Sequence, residues 1–288
     1  MLLAVFAVEA AAVDTPNCTA SGAPICEAKA KNKRPAKDEP PNEHQRALLQ
    51  EGIAALAPQR KGVTDIYTIG VAGWANQDVF VKELGGAFDS MAKVLPTSNR
   101  VLRLINHPST SQTPLATRAN LAFAVQSVGK IMDKNEDVLV LFMTSHGTRE
   151  GFALQLPWDR PVLLPPADVA NILASAGIKN RVVIVSACYS GIFVKPVAND
   201  NTIVMTAADA THTSFGCAAD RDWTYFGDAF FNRSLVPGVD FHQAFDSARK
   251  LIREWEINEK LEPSNPQGRF GRALVDRLAP VFAAGTGH

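Results

Sequence analysis

Two stretches of the chain combine residue types that can break or form an acyl bond. "DVLVLFMTS" (137–145) runs into His146-Gly147, and "RVVIVSA" (181–187) runs into Cys188, with Ser190-Gly191 just behind it. A cysteine attacks a carbonyl as its thiolate, and an imidazole held beside it takes the proton. Gly147 lacks a Cβ, so its backbone N–H can approach an incoming carbonyl oxygen closely. Taken singly these residues have plain structural readings. A free cysteine on an apolar strand packs as a small hydrophobe, and a histidine at a strand end is commonly a hydrogen-bonded loop residue. Two parallel strands would bring the pair to one edge and turn a coincidence of types into a nucleophile and its base.

Other chemistries find less. There is no GxSxG elbow, no GxGxxG after a strand and no GxxxxGK[ST] phosphate loop. No CxxC partner for redox work stands near Cys188. No Cys/His cluster has zinc spacing, and Asp209, Asp220 and Asp222 form no metal-loop pattern. Neither metal nor cofactor is called for. With 29 basic against 29 acidic side chains, the chain has no net charge to neutralise phosphates, which argues against a nucleic-acid partner. No run reaches the ~20 apolar residues of a membrane span.

The elements that would position the pair read as alternating strand and helix. Continuous β-branched runs at 65–71, 100–105, 137–145, 181–187 and 202–207 are those of a parallel sheet covered on both faces. Between them, Val79, Phe80, Leu84, Phe88, Met91 and Leu95 recur at helical spacing, as do Leu121, Val125, Val128 and Met132. "PPADVANILASAG" ends at Gly177, where a helix terminus wants a left-handed residue, and Asp240 and Gln243 open a further helix in capping-box spacing. This is an α/β sandwich, and such sheets bind ligands beyond the carboxyl ends of their strands. Residues 43–288 read as one domain. Residues 1–42 read as an apolar start and a flexible Pro/Lys-rich tail, in which Cys18 and Cys26 have a spacing that permits a disulfide. "MLLAVFAVEAAAVD" has the apolar character of a secretion signal but no basic n-region, and Glu9 interrupts it.

"LFMTSHG", "VVIVSACYSG" and "IVMTAADATHTSFGCAADRDWTYFGDAFF" together resemble the legumain-like cysteine peptidases, above all their bacterial members. That family also includes the catalytic subunit of the GPI transamidase, and the caspases and gingipains share its fold. The resemblance implies a caspase-like three-layer sandwich with a central, mostly parallel sheet. It implies Cys188 as nucleophile, His146 as general base, the Gly147 and Cys188 N–H groups as oxyanion hole, and no cofactor. "AGWAN" (72–76) is similar to the family's Gly-Trp-x-Asn segment, which makes Asn76 the residue that orients His146. The segment from Thr206 through Ser214-Phe215-Gly216 matches the loop along which a substrate backbone lies. The partner is then a peptide or protein, and family habit implies a periplasmic or secreted enzyme. A transpeptidase or transamidase using the same acyl-enzyme, and a silent peptide-binding scaffold, remain the alternatives.

The specificity pocket departs from the family. Ser186 stands where legumain has a glutamate, Asp78 falls where the arginine would, and only the carboxylate of Asp228 is kept. Two carboxylates without a fixed cation imply a preference for Arg or Lys before the scissile bond. The alternative is that Asp78 caps the helix beginning near Val79. His107 and His212 read as loop histidines, Cys217 has no assigned role, and "SNPQGRFG" (264–271) reads as a turn-rich loop.

Overall fold

The computed structural model describes residues 42–284 except 110, 158 and 219. Apart from Asn42, the expected tail, with the Cys18–Cys26 pairing, lies outside the described residues. In chain order the elements are α1 (Glu43–Ala54), β1 (Ile66–Ala72), α2 (Asp78–Val94), β2 (Val101–Ile105), α3 (Arg118–Ile131), β3 (Val138–Thr144), β4 (Phe152–Leu154), β5 (Val162–Leu164), α4 (Pro166–Ser175) and β6 (Arg181–Ser186). A 3₁₀ turn (Ser190–Phe193) leads into α5 (Val194–Val197), β7 (Thr202–Thr206), α6 (Tyr225–Gly227), a π-helical segment (Asp228–Ser234), α7 (Phe241–Glu259), β8 (Gln267–Phe270) and α8 (Arg272–Ala284).

Six strands form one sheet in the order β2-β1-β3-β6-β7-β8, parallel except for the last pair. Alternate side chains feed two separate cores, because successive residues of a strand point to opposite faces. Val140, Phe142, Ile184 and Met205 pack against α2, α7 and the aromatic cluster Phe226, Phe230 and Phe231. Leu139, Leu141, Val183, Val185 and Val204 pack against α1, α3 and α4, through Leu49, Leu121, Val125 and Leu173. The result is the three-layer α/β sandwich expected of a caspase-like fold. Gly70 of β1 brings α2 close to the sheet, since a Cβ there would come within 2.4 Å of Leu84 and Phe88.

The five sequence-derived strands appear within a residue or two of their expected bounds. So do the cap details: Gly177 has φ of +66°, and Asp240 and Gln243 form both halves of a capping box. One expectation is corrected. Gln267–Phe270, within the stretch read as a loop, is the antiparallel edge strand β8, paired with β7 from Ile203↔Phe270 to Thr206↔Gln267. Its residues are largely exposed and do not alternate, so only the pairing with β7 makes them a strand.

Phe142 is fully buried, and its ring meets that of Phe231 edge-on at 4.7 Å. Replacing it with alanine should cost about 3–5 kcal/mol through lost burial and the cavity left behind. Urea unfolding followed by circular dichroism measures this; a loss below about 1 kcal/mol would place the load-sharing of this core elsewhere.

Candidate active site

The pairing of β3 with β6 ends at Thr144↔Ser186, and the ladder continues one step further through Ser145 N–H to Ser186 O at 3.2 Å. His146 and Cys188 therefore leave the sheet at equivalent positions of neighbouring strands, which run about 4.8 Å apart. The loops that follow are nested. A Cβ on Gly147 would lie 2.3 Å from the Cys188 carbonyl oxygen, so only glycine allows the His146 loop to sit there. Around the isolated Gly147–Phe152 bridge, the bonds run from Ala153 N–H to His146 O and from Thr148 N–H to Gly151 O. The Gly147 N–H takes no part in that bridge. Tyr189, directly after Cys188, adopts φ 57°, a left-handed conformation that turns the chain sharply from β6 into the 3₁₀ turn.

Cys188 is 3% exposed and packed against Ser214. The Ser214 N–H points at Sγ from 3.4 Å, and the thiol reaches Ser214 O at 3.5 Å. The loop carrying Ser214 is anchored through Tyr189 N–H to His212 O at 2.9 Å. It is shaped further back by Asp209. Burial works to raise that carboxyl, but hydrogen bonds from Thr211, His212 and Asn265 outweigh it and hold it down at about 2.

The His146 ring lies edge-on to Trp74, with centroids 4.5 Å apart, and to Phe80, at 5.1 Å. Its Nε2 makes a short hydrogen bond with Gln77 Oε1. The amide of Gln77 is fixed the right way round, because its Nε2 donates to the Cys217 carbonyl oxygen at 2.9 Å. Facing an oxygen that only accepts, His146 Nε2 carries the proton, and Nδ1 is left as the basic nitrogen. Here the sequence reading is corrected. Asn76 is exposed in the turn after Trp74, and it is Gln77, the N-cap residue of α2, that meets the imidazole. Cys217, to which the sequence assigned no role, is disulfide-bonded and supplies the carbonyl that orients Gln77.

Residues 118–273 match the model of the Peptidase C13 family. The chain belongs to that family. The match covers more than half of the 288 residues and includes His146, Gly147, Cys188 and the Ser214 loop. No curated protein matches the chain. Membership makes this C13 chain a protein of cysteine peptidase or transamidase type. Among the described residues no cluster of His, Cys, Asp or Glu could hold a metal ion, and no helix is long and apolar enough to cross a membrane.

The matched region stops short of β1 and α2, where the pocket expectations were unusual. Asp78 is a first-turn residue of α2 whose carboxylate bonds His107 Nε2 at 3.0 Å. Asp228 accepts from Asn232 at 2.7 Å and from Arg233 Nε at 3.1 Å. Each carboxylate thus has a partner of its own, contrary to the picture of two unpaired acids in one cleft. Ser186 is buried, its hydroxyl 3.1 Å from that of Thr224. A carboxyl does stand next to it, supplied by Glu83 of α2. Sequence reasoning passed over Glu83, although the signal was there: it is a charged residue on the same helical stripe as Phe80, Leu84 and Ala87.

Burial pushes the Glu83 carboxyl up from 4.5 to about 7, against hydrogen bonds from Ser186, Thr224 and Thr144 that favour the ion. Between those values the folded chain holds a proton that the unfolded chain has released, so stability falls as pH rises through this window and levels off above it. The drop from Glu83 should be about 3 kcal/mol. Denaturant unfolding at pH values across the window should show the slope in the wild type and its loss in Glu83→Gln; equal slopes in both would exclude it.

Proposed function

We propose that this C13 protein is a cysteine endopeptidase, with Cys188 as nucleophile and His146 as general base. The observation that carries this reading is the placement of thiol and imidazole at register-matched ends of β3 and β6, with the imidazole's Nε2 held by Gln77. Nδ1 of His146 takes the thiol proton as Sγ attacks a peptide carbonyl, and the same nitrogen then protonates the leaving amine. Water hydrolyses the thioester, with His146 again accepting a proton. The N–H groups of Gly147 and Cys188 are assigned to the oxyanion. Ser214 now lies against Sγ, so its contact must open for a substrate backbone to lie along the 206–216 segment. Residues 43–288 are taken as the catalytic domain. The disulfide at Cys217 supports an oxidising compartment, in keeping with a periplasmic or secreted enzyme.

The preference for Arg or Lys before the scissile bond rests on Asp78 and Asp228, whose present partners His107 and Arg233 would give way to a cationic guest. A fluorogenic peptide panel varied at that position, with and without an added amine acceptor, tests reaction and preference together. Cleavage after Arg or Lys that is lost in Cys188→Ala is the expected result. Amine-capped products in place of hydrolysis would assign a transamidase, and cleavage after Asn would refute the acidic pocket. Silence of a folded chain would favour a binding scaffold.

Gln77→Ala should lower kcat about 10- to 100-fold by releasing the imidazole. Asn76→Ala should leave kcat unchanged. Steady-state kinetics on one good peptide decide between the two, and the reverse order of effects would restore Asn76 as the orienting residue.

A further inference from the structure

Beneath the Cys188–His146 pair lies a buried carboxyl for which the chemistry above has no use. Glu83 is 0% exposed, and its oxygens meet groups from two other parts of the fold. Oε2 accepts from Thr144 Oγ1 at 3.2 Å and from Thr224 N–H at 3.3 Å, while Oε1 accepts from Thr224 Oγ1 at 3.2 Å. The Ser186 hydroxyl joins this cluster through Thr224, whose Oγ1 lies 3.1 Å from it. Thr144 and Ser186 are the last register-matched residues of β3 and β6, each two positions before a member of the reacting pair. α6 is seated flush on the carboxyl, since a Cβ on Gly227 would come within 2.5 Å of Oε1.

We infer that Glu83 is a positioning residue for the reaction at Cys188, its ionised carboxyl clasping the carboxyl ends of β3 and β6 at the spacing that thiol and imidazole require. The inference rests on the peptidase reading of those two side chains. Its physical basis is the polarity of the clasp. The three groups bonded to it, Thr144 Oγ1, Thr224 N–H and Thr224 Oγ1, all donate, which an ionised carboxylate satisfies through its two oxygens. A neutral carboxyl must donate one hydrogen bond itself, so one hydroxyl has to turn round and the bridge between the strands is broken at one side. The hydrogen bonds to Glu83 come from uncharged groups of β3 and the Thr224 turn. The ionisable residues along those elements and α2 are Arg181 at the start of β6, His146 and Cys188 past the strand ends, Arg221, Asp222, Tyr225 and Asp228 around the turn, and Asp78, Lys82, Asp89 and Lys93 on α2. Asp228 bonds Arg233 and Lys82 pairs with Asp222, leaving the carboxyl to its hydroxyl partners. The same burial that raises its pKa places its change of state in the physiological range.

The test uses the full chain and two readouts across pH 5 to 9: kcat and KM on one peptide, and the rate of iodoacetamide alkylation mapped to Cys188 by mass spectrometry. In the wild type both kcat and alkylation should carry a step near neutral pH, falling on the acid side. Glu83→Gln should lack the step and show kcat reduced about 10- to 100-fold at alkaline pH with KM little changed. Thr144→Val removes one donor to the carboxylate and should move the step to higher pH, which keeps the inference testable if Glu83→Gln folds poorly. A folded Glu83→Gln with the wild-type profile, or an unmoved step in Thr144→Val, would overturn the positioning role while leaving the peptidase reading intact. Wild-type Cys188 that reacts no faster than an ordinary buried thiol would overturn the peptidase reading, and this role with it.

Discussion

The parallel register of β3 on β6 is the constraint on which everything else at this site depends. With Thr144 opposite Ser186, the two chains leave the sheet in step, and His146 meets the neighbourhood of Cys188 without further adjustment. A slip of one residue would turn every side chain of one strand to the other face and send the imidazole into the opposite helical layer. The two cores prevent that slip, because Phe142 and Ile184 belong to one layer while Leu141, Met143 and Val185 belong to the other. Packing energy spread over the whole sheet thus fixes the placement of two side chains at its edge.

Close backbone contacts then convert register into a site. Gly147 rests on the Cys188 carbonyl, and Gly191 lies against the backbone of Asp209 and Ala210, where a Cβ would come within 2.5 Å. The left-handed Tyr189 turns the chain away immediately after the thiol, and its N–H holds the loop that presents Ser214 to sulfur. None of these contacts is replaceable by a larger residue without moving backbone, so the rigidity is in the main chain rather than in any one side chain.

The polar groups that tune the pair come mostly from α2, which the close approach at Gly70 lays against β1. Its N-cap residue Gln77 fixes the imidazole's proton, and its buried Glu83 sits under the strand ends. Charge burial at Glu83 opposes folding, yet the donors around it keep the ionised form within reach at neutral pH. Cys217 adds a covalent anchor at the carbonyl that orients Gln77.

Much of this was legible in the chain. Unbroken apolar runs identified the parallel strands, helical spacing placed the layers around them, and His146 and Cys188 stood at strand ends because local pattern alone puts them there. The edge strand β8 was hidden, since an exposed strand carries no burial pattern. The short motif at 72–76 points to Asn76 and is silent on Gln77, because it cannot tell which turn residue faces inward; the turn after Trp74 decides that. Asp78 and Asp228 looked unpaired because His107, Arg233 and Asn232 are brought to them only by folding. Glu83 joins Thr144, Ser186 and Thr224 across separations that no local pattern encodes. The sequence by itself thus determined the sheet and its layers and set His146 and Cys188 at strand ends, all of which follow from short-range periodicity. The tertiary structure alone decided the partners of every polar group around that pair, because hydrogen bonds between distant segments depend on where the backbone carries each donor.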